Sequence, residues 1–460
     1  MQINKDKKKS LFIKSYGCQM NEYDSERMAE ILEPHNYSSV NEPDQADLII
    51  LNTCHIREKA AEKIYSELGR LKKINNKNDK NPKIAVAGCV GQAEGQEIIN
   101  RSPIVDLVFG PLTYHQLPEM LESIETDKGF PSKKLVNIEI PDIDKFDQLK
   151  GSRKSLRSIS SLLSVQEGCD KFCSFCVVPY TRGVEISRPA SQIIKEAMEL
   201  IKNGAKEIIL LGQNVNAWLG KGLDDSDWTF ARLIRELSKL EIERIRYITS
   251  HPRDMTDELM RSHKDIEKLQ PYLHLPVQSG SDKVLKEMNR GYTFSDYMKI
   301  IDKTREYRPD IAVSGDFIVG FPGETDKDFQ DTLKIVKEVK YAHAYSFKYS
   351  SRPGTPASLM ENHIEEHVKT ERLKILQDLI KEHTRGFNKS FVGKEIDVLI
   401  DKPGNGENRL SGRSAYLQSV HMDGNTSMIG EIIRAKVTKS RDNSLECCLL
   451  YTSPSPRDRG

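Results

Sequence analysis

The feature of this sequence that most constrains its fold is an alternation of short apolar runs with amphipathic helical stretches. In the first block of the chain, residues 10–125, the stretch 58–73 carries Ile64, Leu68 and Leu71 on one helical face. The apolar runs between such stretches are residues 11–13, 46–51, 84–87 and 104–109. Strands and helices that alternate in this way predict a small, doubly wound parallel sheet.

A second alternation follows a polar segment, residues 126–155, which is predicted to be a linker. Within residues 156–386 the apolar runs are 162–165, 207–211, 246–249, 272–276, 312–319 and 344–349. These strand–helix units predict a partial (β/α)6 barrel with its active site at the carboxyl ends of the strands. Residues 387–447 show short strands and Gly-rich turns, which predict a small β-barrel of the kind that binds single-stranded RNA.

Composition sets limits on partners and compartment. The 460 residues are 37% hydrophobic and 30% charged, as in an ordinary water-soluble protein, and the net charge of +1 gives no overall attraction for nucleic acid. A surface that binds RNA must therefore be a local patch. No run approaches the ~18 apolar residues of a membrane span. Because the eight cysteines occur without a secretion signal, we expect a reducing cytoplasm and metal clusters rather than disulfides.

Three cysteines, Cys169, Cys173 and Cys176, lie within eight residues after the first strand of the predicted barrel. Thiolates hold iron–sulfur clusters, and three of them leave one iron of a four-iron cluster open to a substrate. The spacing resembles that of radical S-adenosylmethionine enzymes. The alternative is a zinc site, but zinc usually takes four ligands, and no second cysteine pair or nearby histidine completes such a site.

Three further cysteines each follow an apolar run of the first block: Cys18, Cys54 and Cys89. Because the carboxyl ends of parallel strands meet at one edge of a sheet, these thiols are expected to converge there. They could hold a second cluster. Position alone leaves equally open that they are small, buried hydrophobic residues.

Several turns after the barrel strands contain small residues that allow a ligand to approach the backbone, together with amides and hydroxyls that can bind its polar edge. Radical S-adenosylmethionine enzymes also place an aromatic residue, at the position before the last cysteine, near the adenine of their cofactor. The predicted cofactor-binding residues are Phe175, Gly212, Gln213, Gln278, Ser279, Gly280, Gly320, Gly323 and Glu324.

Four longer motifs occur in order along the chain: YGCQMNEYDSE (16–26), NTCHIREKA (52–60), EGCDKFCSFCVVPYTRG (167–183) and LGQNVN (211–216). They resemble the radical S-adenosylmethionine methylthiotransferase family over residues 10–446. The residues around Cys18 and Cys54 resemble the MiaB type, which acts on isopentenyl-adenosine in tRNA. Relatives that act on threonylcarbamoyl-adenosine or on a ribosomal protein remain the nearest alternative. A non-catalytic RNA-binding iron–sulfur protein is an alternative of another class.

The resemblance implies a flavodoxin-like N-terminal domain, a radical S-adenosylmethionine core and a C-terminal TRAM domain. It assigns Cys18, Cys54 and Cys89 to an auxiliary 4Fe–4S cluster, and the three barrel cysteines to the radical 4Fe–4S cluster. The implied reaction replaces C2–H of N6-isopentenyladenosine at position 37 of a tRNA by a methylthio group, with two S-adenosylmethionine molecules. A flavodoxin- or ferredoxin-like electron donor, a monomeric state and a cytoplasmic location are also expected.

Among other polar residues, Arg182, Arg188 and Arg413 are candidates for RNA contact or, equally, for salt bridges. The lone histidines His251 and His274 are predicted to be structural.

The last residues, 448–460, resemble the translation of a sequencing-library adapter and interrupt a strand pattern that runs from 431 to 445. They are predicted to be foreign, and the end of the small barrel is predicted to be missing.

Overall fold

The structure, a computed structural model, describes residues 8–55, 58–75, 81–124, 134–140, 146 and 158–450. Its helices are α1 (Gln19–Leu32), α2 (Glu58–Asn75), α3 (Cys89–Glu94), α4 (Gln96–Arg101), α5 (Leu117–Ile124), α6 (Val178–Arg182), α7 (Ala190–Lys202), α8 (Phe230–Leu237), α9 (Asp257–Asp265), α10 (Asp282–Glu287), α11 (Phe294–Tyr307), α12 (Asp326–Val339) and α13 (Glu366–Lys389). Within the described residues, no helix combines the length and the hydropathy that crossing a membrane requires.

The first six strands form the N-terminal sheet: β1 (Lys9–Tyr16), β2 (Tyr37–Ser39), β3 (Leu48–Thr53), β4 (Lys83–Ala87), β5 (Leu107–Phe109) and β6 (Leu135–Asn137). All pairs are parallel, in the order β2-β1-β3-β4-β5-β6. Every residue of β3 is buried, and apolar clusters cover both faces of the sheet. The predicted doubly wound α/β domain is therefore confirmed.

Strand β6 lies inside the segment predicted to be a linker. It pairs with β5 through Leu107↔Leu135 and Val108↔Val136. A strand of three residues in a polar segment is too short to show a period of two, so the sequence pattern did not reveal it. Much of the remaining predicted linker lies outside the described residues.

The second block contains strands β7 (Ser160–Ser164), β8 (Gln166–Glu167), β9 (Ile186–Ser187), β10 (Glu207–Leu211), β11 (Leu219–Lys221), β12 (Asp227–Thr229), β13 (Arg244–Tyr247), β14 (Tyr272–His274), β15 (Ala312–Val319) and β16 (His343–Lys348). Two parallel sheets, β7-β10-β13 and β14-β15-β16, are joined by a parallel bridge between Ile245 and Leu269. The outer face of these strands packs under helices in one large apolar cluster. This arrangement confirms the partial six-stranded barrel. The antiparallel pairs β8–β9 and β11–β12 are additions to it.

Local sequence sets where the barrel helices begin. Thr325 and Asp328 form a reciprocal capping box at the start of α12, and Thr293 and Asp296 do the same for α11. Each box satisfies backbone donors that the first helical turn leaves free. The helix starts are thereby held next to the strand ends that border the active-site side of the barrel.

The last five strands close into a small barrel, in the order β17-β18-β19-β21-β20: β17 (Glu395–Pro403), β18 (Arg409–Ser414), β19 (Ser419–Asp423), β20 (Ile432–Ser440) and β21 (Ser444–Leu449). The prediction that its end is missing is wrong. Leu445 and Cys447 point inward and Cys448 outward, so the strand alternation continues past the predicted boundary. The origin of the tail stays a prediction, and residues 451–460 lie outside the described part of the chain.

The small barrel covers the amino-terminal end of the (β/α)6 strands. Arg244 donates hydrogen bonds to the carbonyl oxygens of Asp397 and Arg413, both at 3.0 Å. Arg246 donates to those of Ser414 and Ala415, at 2.8 and 2.7 Å. The opposite, carboxyl end of the strands is left for a functional site.

Candidate active site: one cavity bordered by six thiols

Three cysteines of the site come from a single loop that follows β8. The loop is folded against the end of α10, where the Ser174 hydroxyl donates to the carbonyl oxygen of Glu287 at 2.8 Å. Asn289 donates to the carbonyl oxygen of Phe172, a residue whose positive φ of 46° turns the chain back between the first two cysteines. The loop thereby presents Cys169, Cys173 and Cys176 to the cavity at the carboxyl ends of the barrel strands.

The other three cysteines come from three neighbouring strands of the N-terminal sheet. Cys18, Cys54 and Cys89 follow β1, β3 and β4, which are adjacent in the order β1-β3-β4. The turn at Gly17 has a φ of 127°, and a Cβ there would lie 2.2 Å from the Cβ of Cys54. Glycine therefore lets the first turn approach the second thiol.

All six thiols border one cavity of about 310 Å³ between the N-terminal domain and the barrel. None of them forms a disulfide. Within the described residues, no group of three His, Cys, Asp or Glu side chains is arranged to hold a single metal ion. The thiols instead form two sets of three around a common space. Each set offers the number of soft ligands that leaves one iron of a four-iron cluster without a protein ligand.

A buried arginine lies beside the N-terminal thiols. The Arg182 guanidinium is 2.7 Å from Asp24 of α1 and 2.6 Å from Glu167, which comes two residues before Cys169. Its charge also acts on Cys18 and Cys89. Arg182 therefore links the N-terminal domain, the barrel and one set of thiols.

The N-terminal thiols share their protons unequally. A hydrogen bond from Cys54, with the charge of Arg182, lowers the pKa of Cys89 to about 5. The same two causes lower the pKa of Cys18. The pKa of Cys54 is raised well above its usual value because its thiol is hydrogen-bonded to both neighbours. This set is therefore arranged to carry negative charge before any metal binds.

The barrel thiols are in a different electrostatic environment. Burial raises the pKa of Cys169 to about 11 and that of Cys176 to about 12. Two cations act on this set: Lys171 acts on Cys169 through its charge, and Arg290 donates to the Cys173 sulfur at 3.3 Å. Arg290 is itself fixed by the carbonyl oxygen of Pro276, at 2.8 Å, and by the Tyr292 hydroxyl.

Four of the nine predicted cofactor-binding residues border the cavity: Phe175, Gly212, Gln213 and Gln278. A Cβ on Gly212 would lie 2.4 Å from the Oε1 atom of Gln166, so a side chain is excluded there. The side-chain Oε1 atom of Gln213 accepts from the Gly168 backbone amide at 2.6 Å, which ties this turn to the cysteine loop. Gln278 takes a positive φ of 77° at the cavity wall.

The other five predicted residues do not border the cavity: Ser279, Gly280, Gly320, Gly323 and Glu324. The Gly280 amide donates to the Thr332 hydroxyl of α12 at 3.0 Å, and Glu324 pairs with Arg372 of α13 at 2.8 Å. These contacts pack the turns against helices. A Gly-rich turn after a strand serves ligand binding and helix packing equally well, so sequence alone did not separate the two roles.

Two polar residues of the cavity were not among the predicted cofactor-binding residues. His251 and Asn214 border it, and the His251 Nε2 and Asn214 Oδ1 atoms are buried without a hydrogen-bond partner in the described structure. Burial lowers the pKa of His251 to about 2, so its ring is neutral. Such orphaned atoms fit the polar edge of a bound cofactor. Their positions after β10 and β13 were the available signal.

The structure separates the two histidines that the sequence grouped as structural. His274 contacts Ser314 at 3.1 Å and Asp316 at 3.4 Å and does not border the cavity. His251 caps the turn Pro252–Asp254 through its Nδ1 atom and also faces the cavity. His251 therefore has the predicted structural contact and, in addition, borders the cavity.

Two of the three arginines proposed for RNA contact are buried. Arg182 is held by the two carboxylates described above, and Arg188 pairs with Glu196 at 2.9 Å and lies over the ring of Phe146. Both guanidiniums form buried salt bridges, which is the alternative that the sequence left equally open, and Arg182 also borders the cavity. Contact of either arginine with RNA stays a prediction. Arg413 is partly exposed and lies 3.4 Å from Asp401.

Comparison with known proteins agrees with this architecture. Residues 10–110 match an uncharacterized protein family, UPF0004, residues 163–336 match the radical SAM superfamily, and residues 389–450 match the TRAM domain. The radical SAM relationship implies S-adenosylmethionine and a 4Fe–4S cluster, which the Cys169–Cys173–Cys176 loop fits.

Among solved structures, the chain is similar to the radical S-adenosylmethionine methyltransferase TsrM from Kitasatospora setae. One structure of it, with cobalamin and a [4Fe-4S] cluster, gives a TM-score of 0.56 at 13% identity over 77% of this chain and 74% of that one. Another, with tryptophan and an S-adenosylmethionine analogue, gives 0.54 at 12% identity over 77% and 75%. At these identities the likeness concerns the fold alone.

A curated relative is much nearer in sequence. The tRNA-2-methylthio-N(6)-dimethylallyladenosine synthase of Jannaschia sp. (strain CCS1) is 53% identical over 440 residues, which cover 95% of this chain and 93% of the relative. Identity at this level over nearly the full length of both proteins establishes common family membership. The chain therefore belongs to the radical S-adenosylmethionine methylthiotransferase family, in the branch of the tRNA-2-methylthio-N6-dimethylallyladenosine synthases.

Proposed function

We propose that this enzyme replaces the C2–H of N6-isopentenyladenosine at position 37 of a tRNA by a methylthio group. One S-adenosylmethionine molecule supplies the methyl group and a second is the radical source. The observation that carries the proposal is that two separate sets of three thiols face one cavity. A reaction that must both activate an unreactive C–H bond and deliver sulfur needs two such sites within reach of one base.

Bound at these thiols, the clusters would supply the one-electron chemistry and the sulfur that acid–base side chains cannot provide. The chain's own contribution is to bind, orient and exclude water. Arg290 stabilises negative charge on the barrel thiols through its contact with Cys173. Phe175 lies at the cavity wall, packed against a buried apolar cluster, where its ring can cover the adenine of S-adenosylmethionine.

We further assign the polar edge of the cofactor to residues of the cavity wall. The orphaned Asn214 Oδ1 atom is an acceptor. The orphaned His251 Nε2 atom is a donor, because the ring is neutral and its Nδ1 atom accepts from the Arg253 amide. The second Asn214 atom, Nδ2, donates to Asp254 at 2.8 Å, which fixes the orientation of the amide. Gln213 and Gln278 border the same wall. S-adenosylmethionine carries both donor and acceptor groups, which fit this acceptor and this donor.

The auxiliary 4Fe–4S cluster at Cys18, Cys54 and Cys89 is part of this proposal. Its support is the convergence of the three thiols and the lowered pKa values of Cys18 and Cys89, which the hydrogen bond from Cys54 and the charge of Arg182 cause. The electron donor is proposed to be a flavodoxin- or ferredoxin-like protein, and the enzyme to act as a cytoplasmic monomer. The domain limits 10–125, 156–386 and 387–447 likewise stay predictions.

The alternative of a non-catalytic RNA-binding protein does not require two thiol sets to face a common cavity with orphaned polar atoms. A methylthiotransferase with another substrate would share this geometry. The sequence relationship favours isopentenyl-adenosine, because the curated relative described above is named for that substrate.

The test is nucleoside mass spectrometry on isopentenylated tRNA after incubation with the anaerobically reconstituted enzyme, S-adenosylmethionine, sulfide and a strong reductant. We expect 2-methylthio-N6-isopentenyladenosine. If S-adenosylmethionine is cleaved but this tRNA stays unmodified while another substrate is methylthiolated, the substrate assignment is wrong. If neither cleavage nor product occurs with both clusters present, the enzyme assignment itself is wrong.

A further inference from the structure

The inner face of the partial barrel is covered on one half only. On strands β7 and β10, Leu162, Ile209 and Leu211 turn inward and pack against Met20 and Tyr23 of α1. The N-terminal domain therefore fills this half of the barrel with apolar contacts. A substrate as large as a tRNA loop cannot approach the cavity from here.

The other half of the inner face, on β14, β15 and β16, is left open. Register pairs His274 with Ser314, Asp316 with Tyr345, and Ile318 with Phe347, so these side chains share one side of the sheet. Tyr345 is 45% exposed. Among the described strands, β16 pairs with β15 alone and ends the sheet. We call this surface, formed by His274, Asp316, His343, Tyr345 and Phe347, the open inner face.

The open inner face is rich in rings. The His343 and Tyr345 rings meet edge to face with centroids 4.7 Å apart, and His274 lies 6.5 Å from Tyr345. Hydrogen bonding to Ser314 orients the His274 ring. The two histidine rings therefore fix the orientation of the partly exposed Tyr345 ring before any ligand binds.

The same face connects two spaces. Asp316 and Phe347 border the thiol cavity. A groove of about 330 Å³ runs along the free edge of β16, where it is bordered by the five successive residues His343, Ala344, Tyr345, Ser346 and Phe347. The other walls of this groove are α13 and the turn between β20 and β21, with Gln377, Lys381, Thr384, Arg385, Asp442 and Asn443.

The groove is anchored at its far end. Arg385 of α13 holds Asp442 through two hydrogen bonds of 2.8 Å, which fix the hairpin of the small barrel beside the groove. Phe347 borders both spaces, and the groove reaches the hairpin of the small C-terminal barrel at Asp442 and Asn443.

We propose that the open inner face is the path of the single-stranded RNA next to the target adenine, and that a flanking base stacks on Tyr345. This inference rests on the proposed function. An adenine placed in the cavity must leave its flanking nucleotides along an open side. Unstacked bases of RNA loops are commonly bound by aromatic rings.

A peptide strand added to the free edge of β16 is the competing occupant, since sheet edges accept such strands. The rings favour RNA, because they project from the face of the sheet rather than along its edge. The path also ends at a small barrel of the kind predicted to bind RNA.

The test is equilibrium binding of a fluorescein-labelled tRNA anticodon stem–loop that carries N6-isopentenyladenosine, at fixed salt, to the reconstituted enzyme. Tyr345→Ala should raise Kd by about 5- to 100-fold, the range expected for losing one stacked base. Tyr345→Phe should stay within about twofold, because it keeps the ring. The KM for the stem–loop should follow Kd. Tyr37→Ala, which removes a ring from an edge strand of the N-terminal sheet, is the matched control and should bind as the wild type does.

His343→Ala provides a second variant, because it removes the support of the Tyr345 ring and leaves Tyr345 in place; it should weaken binding less than Tyr345→Ala. Unchanged affinity in both alanine variants, with unchanged thermal midpoints, would overturn the inference and point to the peptide-edge alternative. In that event the wild type still binds and modifies the stem–loop. A wild type that does neither would instead overturn the proposed function.

Discussion

The two sets of thiols face the same cavity but are assembled differently. Cys169, Cys173 and Cys176 belong to one loop, so covalent spacing already places them near one another. Cys18, Cys54 and Cys89 belong to three strand ends that are brought together by the order of a parallel sheet. The first set is a local structure, whereas the second is a product of the fold.

Their charges differ as well. Burial raises the pKa of Cys169 to about 11, whereas the pKa of Cys89 is lowered to about 5 by Cys54 and Arg182. The arginine that acts on the N-terminal set also joins the two domains, while Arg290 acts on the loop set from within the barrel. The comparison teaches that Arg182 has two roles. It holds the N-terminal domain on the barrel, and it helps to lower the pKa values of Cys18 and Cys89.

The largest expected effect separates the two sets by function. Cys169→Ala should abolish both S-adenosylmethionine cleavage and methylthio product. Cys54→Ala should abolish the product and leave cleavage in place, because only the loop set is proposed to bind the radical cofactor. Each variant should lower the iron content from about eight to about four per chain.

The measurements are cleavage by chromatography, product by mass spectrometry and iron by colorimetry. Cys447→Ala, which alters a buried thiol of the small barrel, is the control and should keep both clusters. Methylthio product from the Cys54→Ala enzyme would refute the division of roles.

The next effect concerns the shared arginine. Arg182→Met leaves the carboxylates of Asp24 and Glu167 buried without their cation, and loss of one partner of a buried ion pair costs about 3–5 kcal/mol. We expect this loss in urea unfolding, together with a selective loss of iron from the N-terminal set. Arg372→Met removes a buried cation paired with Glu324 in the barrel, away from the thiols, and should destabilise without that selective loss. Equal iron loss in the two variants would contradict the assigned role of Arg182.

A smaller effect is expected from the cation of the loop set. Arg290→Met removes the donor to the Cys173 sulfur, so the reduced, more negative state of a cluster there is stabilised less. Its reduction potential should fall, while that of the N-terminal cluster stays unchanged. Redox titration monitored by electron paramagnetic resonance measures both, and Arg290→Lys should restore part of the difference. A shift of the N-terminal potential alone would show that the contact has been assigned to the wrong set.

The smallest effect is a difference in thiol reactivity in the metal-free protein. Cys18 and Cys169 are both half-buried, but the pKa of Cys18 is lowered and that of Cys169 is raised to about 11. Since the thiolate is the nucleophile, iodoacetamide should label Cys18 faster at neutral pH, and the difference should shrink as the pH rises toward 11. Peptide mass spectrometry measures the two rates. Equal labelling rates at pH 7 would refute the difference in thiol pKa between the two sets.

Much of the fold was readable from the chain. The alternating apolar runs predicted both parallel α/β blocks, and the short strands with glycine turns predicted the small barrel. Strand β6 was missed because three residues carry no measurable period. The barrel closure was missed because the tail was judged by its resemblance to a foreign sequence, although Leu445, Cys447 and Leu449 continue one inward-facing pattern.

The site was only partly readable. Gln213 and Gln278 border the cavity as predicted, but Gly280 and Glu324, in turns of the same type, pack against helices. Arg290 was not selected at all, and His251 was predicted to be structural only. The sequence around a residue such as Arg290 does not reveal its role, because its partner Cys173 is far away along the chain.

The sequence by itself determined the features that covalent spacing controls, namely the loop of three thiols and the order of strands and helices. Only the tertiary structure decided which distant segments meet. It placed Arg182 between two carboxylates and a second set of thiols, closed one half of the barrel with α1 and left Tyr345 exposed on the other. The physical reason is that local geometry follows from neighbouring bonds, whereas convergence depends on how buried surfaces pack across the whole chain.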